Sequence, residues 1–123
     1  MVKRILRELQ LRFVQFELTW ARLTGDEVET LEAELELGRL RGDFTKARQV
    51  ALKQGNESGL ARSSIGLAAV AIERNDYETA RTTIQSELLR LRRLGDPGLL
   101  ADALLKLGGA NDKLGNAAEG NLY

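Results

Sequence analysis

Apolar residues recur at every third or fourth position along most of this chain, and short polar clusters interrupt them at fairly even intervals. This spacing places apolar side chains on one face of an α-helix, whereas a half-buried strand needs strict alternation. The interruptions contain Gly, Asn or Asp, which end helices and form turns. The pattern predicts an all-α protein with helices at about 3–24, 26–41, 43–54, 57–74, 76–94 and 97–114, and a seventh from Asn116.

The first predicted helix is apolar on two faces. One face is a stripe in which steps of three and four residues alternate, namely Leu6, Leu9, Phe13, Phe16, Trp20 and Leu23. The other is a line of smaller side chains, namely Leu11, Val14, Leu18 and Ala21. A ligand cage is one interpretation of the stripe, but we expect it to pack against the second and third helices. The second and third helices can cover only one face of the first helix. The line that contains Leu11 and Val14 is therefore expected to contact a second copy of the chain.

A short motif occurs twice. Residues 42–48, Gly-Asp-Phe-Thr-Lys-Ala-Arg, recur 33 residues later as Asn-Asp-Tyr-Glu-Thr-Ala-Arg at 75–81. The turn residue allows a sharp reversal, the Asp caps the following helix, and the Ala lets two helices approach closely. The aromatic residue is expected to close the open end of the hairpin. Leu67-Ala68 and Leu107-Gly108 add a large residue followed by a small one, 40 residues apart.

These motifs resemble the tetratricopeptide repeat family, in which a Leu-Gly pair precedes a Gly-Asp-Tyr turn and an Ala. The resemblance covers most of residues 26–120, and the spacing is similar to that of the long bacterial type. It implies antiparallel helical hairpins stacked as a short right-handed solenoid within a single domain, 1–123. A lone helix at about 3–24 would precede hairpins at 26–54 and 57–94 and a partial hairpin at 97–123.

The resemblance also implies a concave groove, lined by the first helix of each hairpin, in which a partner peptide lies. The positions expected to face this groove are Glu29, Glu32, Ala33, Glu36, Arg62, Ile65, Ala69, Ile72, Glu73, Asp102, Leu105, Lys106, Gly109, Asp112 and Lys113. Three of them are glutamates on one helix face, which suits a basic peptide or a hard cation, although such faces usually meet only water. The Lys and Asn clamp by which chaperone-binding relatives hold a C-terminal carboxylate is absent from this sequence.

The composition mainly excludes several kinds of site and partner. The 123 residues contain neither Cys nor His, which rules out disulfides, thiolate sites, and the commonest metal ligand and general base. Lys and Arg number 18, as do Asp and Glu, so no net charge attracts nucleic acid or an anionic membrane. No apolar run reaches the roughly 20 residues of a membrane span. We expect a cytoplasmic protein with no cofactor, no metal, and no nucleic-acid or membrane partner.

These observations favour a module that binds another protein or peptide, as a scaffold or a segment of a bacterial regulator. A self-associating assembly unit is the first alternative, and a helical-bundle enzyme or small-molecule binder that uses carboxylates is the second. The sequence holds no Gly-rich phosphate loop and no nucleophile beside a base, so we expect no enzyme.

A homo-oligomer is expected because the last predicted helix lacks a partner for Leu107, Ala110 and Leu114. The chain is also expected to be a piece of a larger protein, and Asn121-Leu122-Tyr123 has the pattern of a partial protease-site tag.

Overall fold

The computed structural model describes the backbone of residues 1–122 and the side chains of residues 1–115. Over this part of the chain it contains helices and no strand, which confirms the all-α prediction. The helices are α1 Val2–Thr24, α2 Glu27–Arg41, α3 Thr45–Gln54, α4 Glu57–Glu73, α5 Tyr77–Leu94 and α6 Pro97–Leu122.

Apart from the end of α6, the helices begin and end at the predicted turn signals. The Asp26 carboxylate accepts a hydrogen bond from the Glu29 backbone N–H at 3.0 Å, and Asp96 accepts from Leu99 in the same way at 3.1 Å. Each bond satisfies one of the backbone donors that the first turn of a helix leaves without a partner. Gly25, with a φ of 72°, ends α1 in the left-handed region that favours glycine.

The turn expected at Gly115-Asn116 is wrong, because α6 continues to Leu122. Gly115 does not take the positive φ that such a reversal requires. A glycine inside a helix costs only about 1 kcal/mol relative to alanine, and Ala117, Ala118 and Glu119 that follow favour a helix. The seventh helix is therefore absent from the described backbone, and the side chain of Asn116, where it was expected to begin, lies outside the described residues.

The contacts divide the chain into two compact units, Met1–Ser63 and Ser64–Tyr123, and the division falls inside α4. In the first unit, the smaller-residue line of α1 is buried. Val14 and Leu18 pack against α2, in a cluster with Ala33, Leu37 and Leu40. A second cluster joins α2, α3 and the start of α4, with Leu31, Leu35, Ala47, Ala51 and Leu60 as its buried members. Phe44 packs against this second cluster.

The aromatic stripe of α1 is on the outside, which overturns the expectation that it packs against α2 and α3. Phe13, Phe16 and Trp20 are 65%, 68% and 61% exposed. Two polar contacts fix α1 with its other face inward. Arg7 donates to the Leu40 carbonyl, and Arg22 pairs with Glu34 at 2.9 Å. Glu34 is buried, and a buried carboxylate strongly requires such a partner.

In the second unit, α5 and α6 pack together. Ala80, Ile84 and Ala103 are fully buried. Burial of Ala80, together with that of Ala47 in the first unit, agrees with the close approach that the repeated motif predicted. Ala110 is also buried, contrary to the expectation that it lacks a cover.

Leu107 and Leu114, expected to be exposed with Ala110, are half-buried. Among the side chains of α6 that the structure describes, the exposed leucines are instead Leu104 and Leu105, at 44% and 77%. The helix is turned so that Ala103 and Ala110, two turns apart, lie inward.

Candidate functional site

Two of the three α2 glutamates expected to face the groove, Glu32 and Glu36, are paired with arginines. Glu32 on α2 accepts two hydrogen bonds from Arg62 on α4, at 2.6 and 3.1 Å. These bonds lower the pKa of the Glu32 carboxyl, although partial burial opposes the shift. Glu36 bonds to Arg39 one turn later, which lowers its pKa as well. This face therefore offers a partner mixed charge and not three free carboxylates.

Six of the residues expected to face the groove meet at one cavity in the second unit, which we call the α6 cavity. It has a volume of about 390 Å³. Its lining consists of Ile72, Tyr77, Asp102, Leu105, Lys106, Gly109, Ala110 and Lys113, of which only Tyr77 and Ala110 were not expected there. Cavities of roughly 300–1,000 Å³ are the size that holds a small molecule or a few side chains of a peptide.

The helical repeat of α6 forms one wall of the cavity. Asp102, Lys106, Gly109 and Lys113 follow one another in steps of four, three and four, so they share one face of the helix. Gly109 keeps the wall open, since no atom outside its own helix backbone lies within 4 Å of the position that a Cβ would take.

The opposite wall comes from the end of α4 and the start of α5. Ile72 lies in the last turn of α4, and Tyr77 is the first residue of α5. The Tyr77 hydroxyl donates to Asn75 Oδ1 at 2.9 Å, which holds the ring at the turn. Tyr77 belongs to the repeated motif, so its position is visible in the sequence, but the motif predicts a ring at the end of the hairpin and not in the wall of a cavity.

The cavity combines an apolar interior with charges at its rim. Ile72, Tyr77 and Leu105 supply apolar surface, and Leu105 is 77% exposed. Lys106 pairs with Asp102 one turn before it, and Lys113 is exposed. The two lysines outnumber the single carboxylate, so the rim favours a group with negative charge.

Other residues expected at the groove lie elsewhere. Ile65 is 5% exposed and Ala33 6%, so both belong to the core and neither presents its side chain to an open groove. Ala69 is half-buried, while Glu73 and Asp112 are exposed without lining the α6 cavity. Glu29 is exposed on α2.

A larger cavity of about 530 Å³ lies in the first unit, where Arg22, Glu27, Lys53 and Gln54 are among its lining residues. Long polar side chains dominate it, and Gln54 donates across it to the Glu27 carbonyl at 2.8 Å. It has fewer apolar side chains than the α6 cavity. We therefore regard the α6 cavity as the better candidate for binding a peptide.

The buried carboxylates in the described part of the chain are paired with arginines. No group of three or more acidic residues within it is arranged to hold a metal ion. The two carboxylates buried there, Glu34 and Glu87, are ion-paired with Arg22 and Arg90, at 2.9 and 2.8 Å. Glu87 also accepts a hydrogen bond from Ser64 at 3.1 Å. These pairs satisfy buried charge and leave the carboxylates structural.

The comparisons with other proteins add no family. No protein-family model, curated protein or solved structure matched this chain. Within the described residues, no helix combines the length and the apolar character needed to cross a bilayer.

Proposed function

We propose that this protein is an interaction module, and that the α6 cavity binds a peptide segment of another protein. The observation that carries the proposal is the meeting of Ile72, Tyr77 and Leu105 around an open cavity whose rim carries Lys106 and Lys113. The cavity fits a large apolar side chain. The lysines favour a carboxylate next to that side chain, so the partner segment would be apolar and acidic.

The scaffold in this proposal is a stack of helical hairpins of the tetratricopeptide type, in a cytoplasmic scaffold or regulator. The support is the repeated motif at 42–48 and 75–81, together with the burial of its alanines, Ala47 and Ala80. In such a stack, each hairpin contributes one helix to a continuous binding surface.

The affinity expected from this cavity is modest. Full burial of one apolar side chain contributes about 1.5–3 kcal/mol, and an exposed ion pair contributes up to about 1 kcal/mol. Together these contributions reach at most about 4 kcal/mol, which corresponds to a dissociation constant of about 1 mM, so a peptide that binds more tightly must make further contacts. The assay must therefore extend to about millimolar concentrations.

Two neighbouring glycines of α6 provide a matched test. Gly108 and Gly109 both have open space where a Cβ would lie, but only Gly109 lines the cavity. Gly109→Leu should fill the cavity without a clash, whereas Gly108→Leu should leave it open. Peptides selected on the parent protein from a random 12-residue display library would be labelled and titrated by fluorescence polarisation.

We expect the selected peptides to be rich in apolar and acidic residues. They should bind the parent and Gly108→Leu equally, lose about tenfold or more in affinity on Gly109→Leu, and weaken on Lys113→Glu. Equal binding to both leucine variants would remove the α6 cavity from the peptide site.

A further inference from the structure

The outer face of α1 carries a continuous apolar stripe that the first unit leaves uncovered. We call it the outer stripe, and its members are Val2, Leu6, Leu9, Phe13, Phe16, Trp20 and Leu23. Each is more than half exposed, from 55% for Leu6 to 77% for Leu23. The buried residues of α1, Val14, Leu18 and Ala21, lie on the opposite side of the helix.

The spacing of the stripe is that of a coiled-coil seam. Successive members are four, three, four, three, four and three residues apart, an apolar heptad repeat kept over three heptads. In a heptad labelled a to g, Leu6, Phe13 and Trp20 occupy position a, and Leu9 and Phe16 occupy position d. Side chains at positions a and d interlock with a facing helix. The helix is 23 residues long, or about 35 Å, enough for such a contact.

The area of the stripe is in the range that a dimer needs. An aromatic side chain can bury roughly 150–250 Å². Since Phe13, Phe16 and Trp20 are about two thirds exposed, they offer together roughly 300–500 Å² on each copy. Two copies thus supply about 600–1,000 Å² before the four aliphatic members are counted, and specific interfaces bury about 1,200–2,000 Å² in total.

The charges beside the stripe identify the partner as a second copy in parallel orientation. Position g comes just before position a. In a parallel pair, a residue at position g faces the residue five places further along on the other helix, which is at position e of the next heptad. Arg12 occupies a position g, and Glu17 occupies the position e that it faces. A parallel, in-register dimer therefore forms two symmetric Arg12–Glu17 pairs. In an antiparallel pair, Arg12 faces Ile5, Arg12 or Thr19 of the other helix and meets no carboxylate. Glu17 can face Lys3 in one antiparallel register, but that register also sets Arg12 against Arg12.

We propose that the protein forms a parallel homodimer through the outer stripe of α1. This differs from the dimer that the sequence predicted through Leu11 and Val14, because that face packs against α2 within one chain. It is also independent of the α6 cavity, so each can fail without the other.

The mass in solution is the first test. Light scattering behind a sizing column, at about 100 μM protein, should give twice the chain mass of 13.6 kDa. Phe13→Glu should give a single chain with unchanged circular dichroism. Leu52→Glu is the control, since Leu52 is 63% exposed in the same unit but outside the stripe. A parent protein with the mass of one chain overturns the proposal, as does a Phe13→Glu variant that remains dimeric.

Cross-linking tests the orientation. The chain contains no cysteine, so a single introduced thiol has no competitor. Val2→Cys should form an intermolecular disulfide under mild oxidation, because the two Val2 positions face each other in a parallel dimer. In an antiparallel dimer they lie roughly 30 Å apart. A dimer in which neither Val2→Cys nor Leu23→Cys cross-links overturns the parallel register.

The charge pairs predict partner choice. Arg12→Glu and Glu17→Arg should each weaken self-association about tenfold, because each places two like-charged pairs at the interface. Mixed together, the two variants should form a heterodimer in which both pairs are attractive again. No preference for the heterodimer overturns the assigned pairing.

Discussion

Replacement of Gly38 tests how α2 meets the turn before α3. Gly38 is buried, four residues before the glycine that ends α2. A Cβ added at this position would lie 2.8 Å from Cδ1 of Phe44 and 3.0 Å from the Asp43 carbonyl oxygen. Both distances are shorter than ordinary van der Waals contact, and one of the two atoms belongs to the backbone of the turn. The Phe44 ring or the turn must therefore move in Gly38→Ala.

The expected magnitude combines two opposing effects. Alanine is about 1 kcal/mol more favourable than glycine in a helix interior. Overpacking of a buried site costs about 1–3 kcal/mol. We therefore expect Gly38→Ala to lower the free energy of unfolding by about 0–2 kcal/mol. Gly108→Ala, for which no atom lies within 4 Å of the added Cβ, should instead raise it by about 1 kcal/mol.

Urea unfolding followed by circular dichroism measures both variants, after a check that each transition is two-state. When the change in the free energy of unfolding for Gly108→Ala is subtracted from that for Gly38→Ala, the helix preference of alanine cancels. The remainder is the steric cost at Gly38, about 1–3 kcal/mol. Because Gly38 and Gly108 belong to different units, Gly38→Ala is also compared in a Phe44→Ala background. In that background, Gly38→Ala should lower the free energy of unfolding by less, because the Phe44 ring is no longer present. Equal stabilisation by both alanines in the parent background would refute the contact between Gly38 and Phe44.

Three further predictions concern packing, charge and capping. Ala80→Leu should destabilise the protein by roughly 1–3 kcal/mol in calorimetry, because Ala80 is fully buried, and a parent-like melting temperature would contradict this. The folded-state pKa of Glu32 is below its usual value of 4.5 because Arg62 bonds to it, so its contribution is complete above that pH. Glu32→Gln should thus cost under about 1 kcal/mol at pH 7, as the pair is half exposed, and progressively less as the pH falls below 4.5 and through the lowered pKa. A pH-independent difference would contradict the assignment. Asp26→Ala should lose about 1 kcal/mol in urea unfolding through its missing cap, whereas Asp26→Asn should retain most of it.

The sequence alone determined where most helices begin and end. Helix formation depends on neighbours within about four residues, and those neighbours are visible as apolar spacing, capping carboxylates and glycine turns. Asp26, Asp96 and Gly25 all act in the structure as their local pattern predicted. The turn expected at Gly115 failed for the same reason. Its local signal was weak against the helical preference of the residues around it.

Only the tertiary structure decided which surfaces are buried. Both faces of α1 have helical apolar spacing, and nothing local distinguishes Phe13 from Val14. The contacts with α2 decide which face is buried. Leu37 of α2 packs in the same cluster as Val14, and the buried Glu34 of α2 pairs with Arg22. Such contacts join residues far apart in sequence, so periodicity cannot rank them. The α6 cavity depends in the same way on Ile72 and Tyr77, which reach α6 only when the second unit is folded.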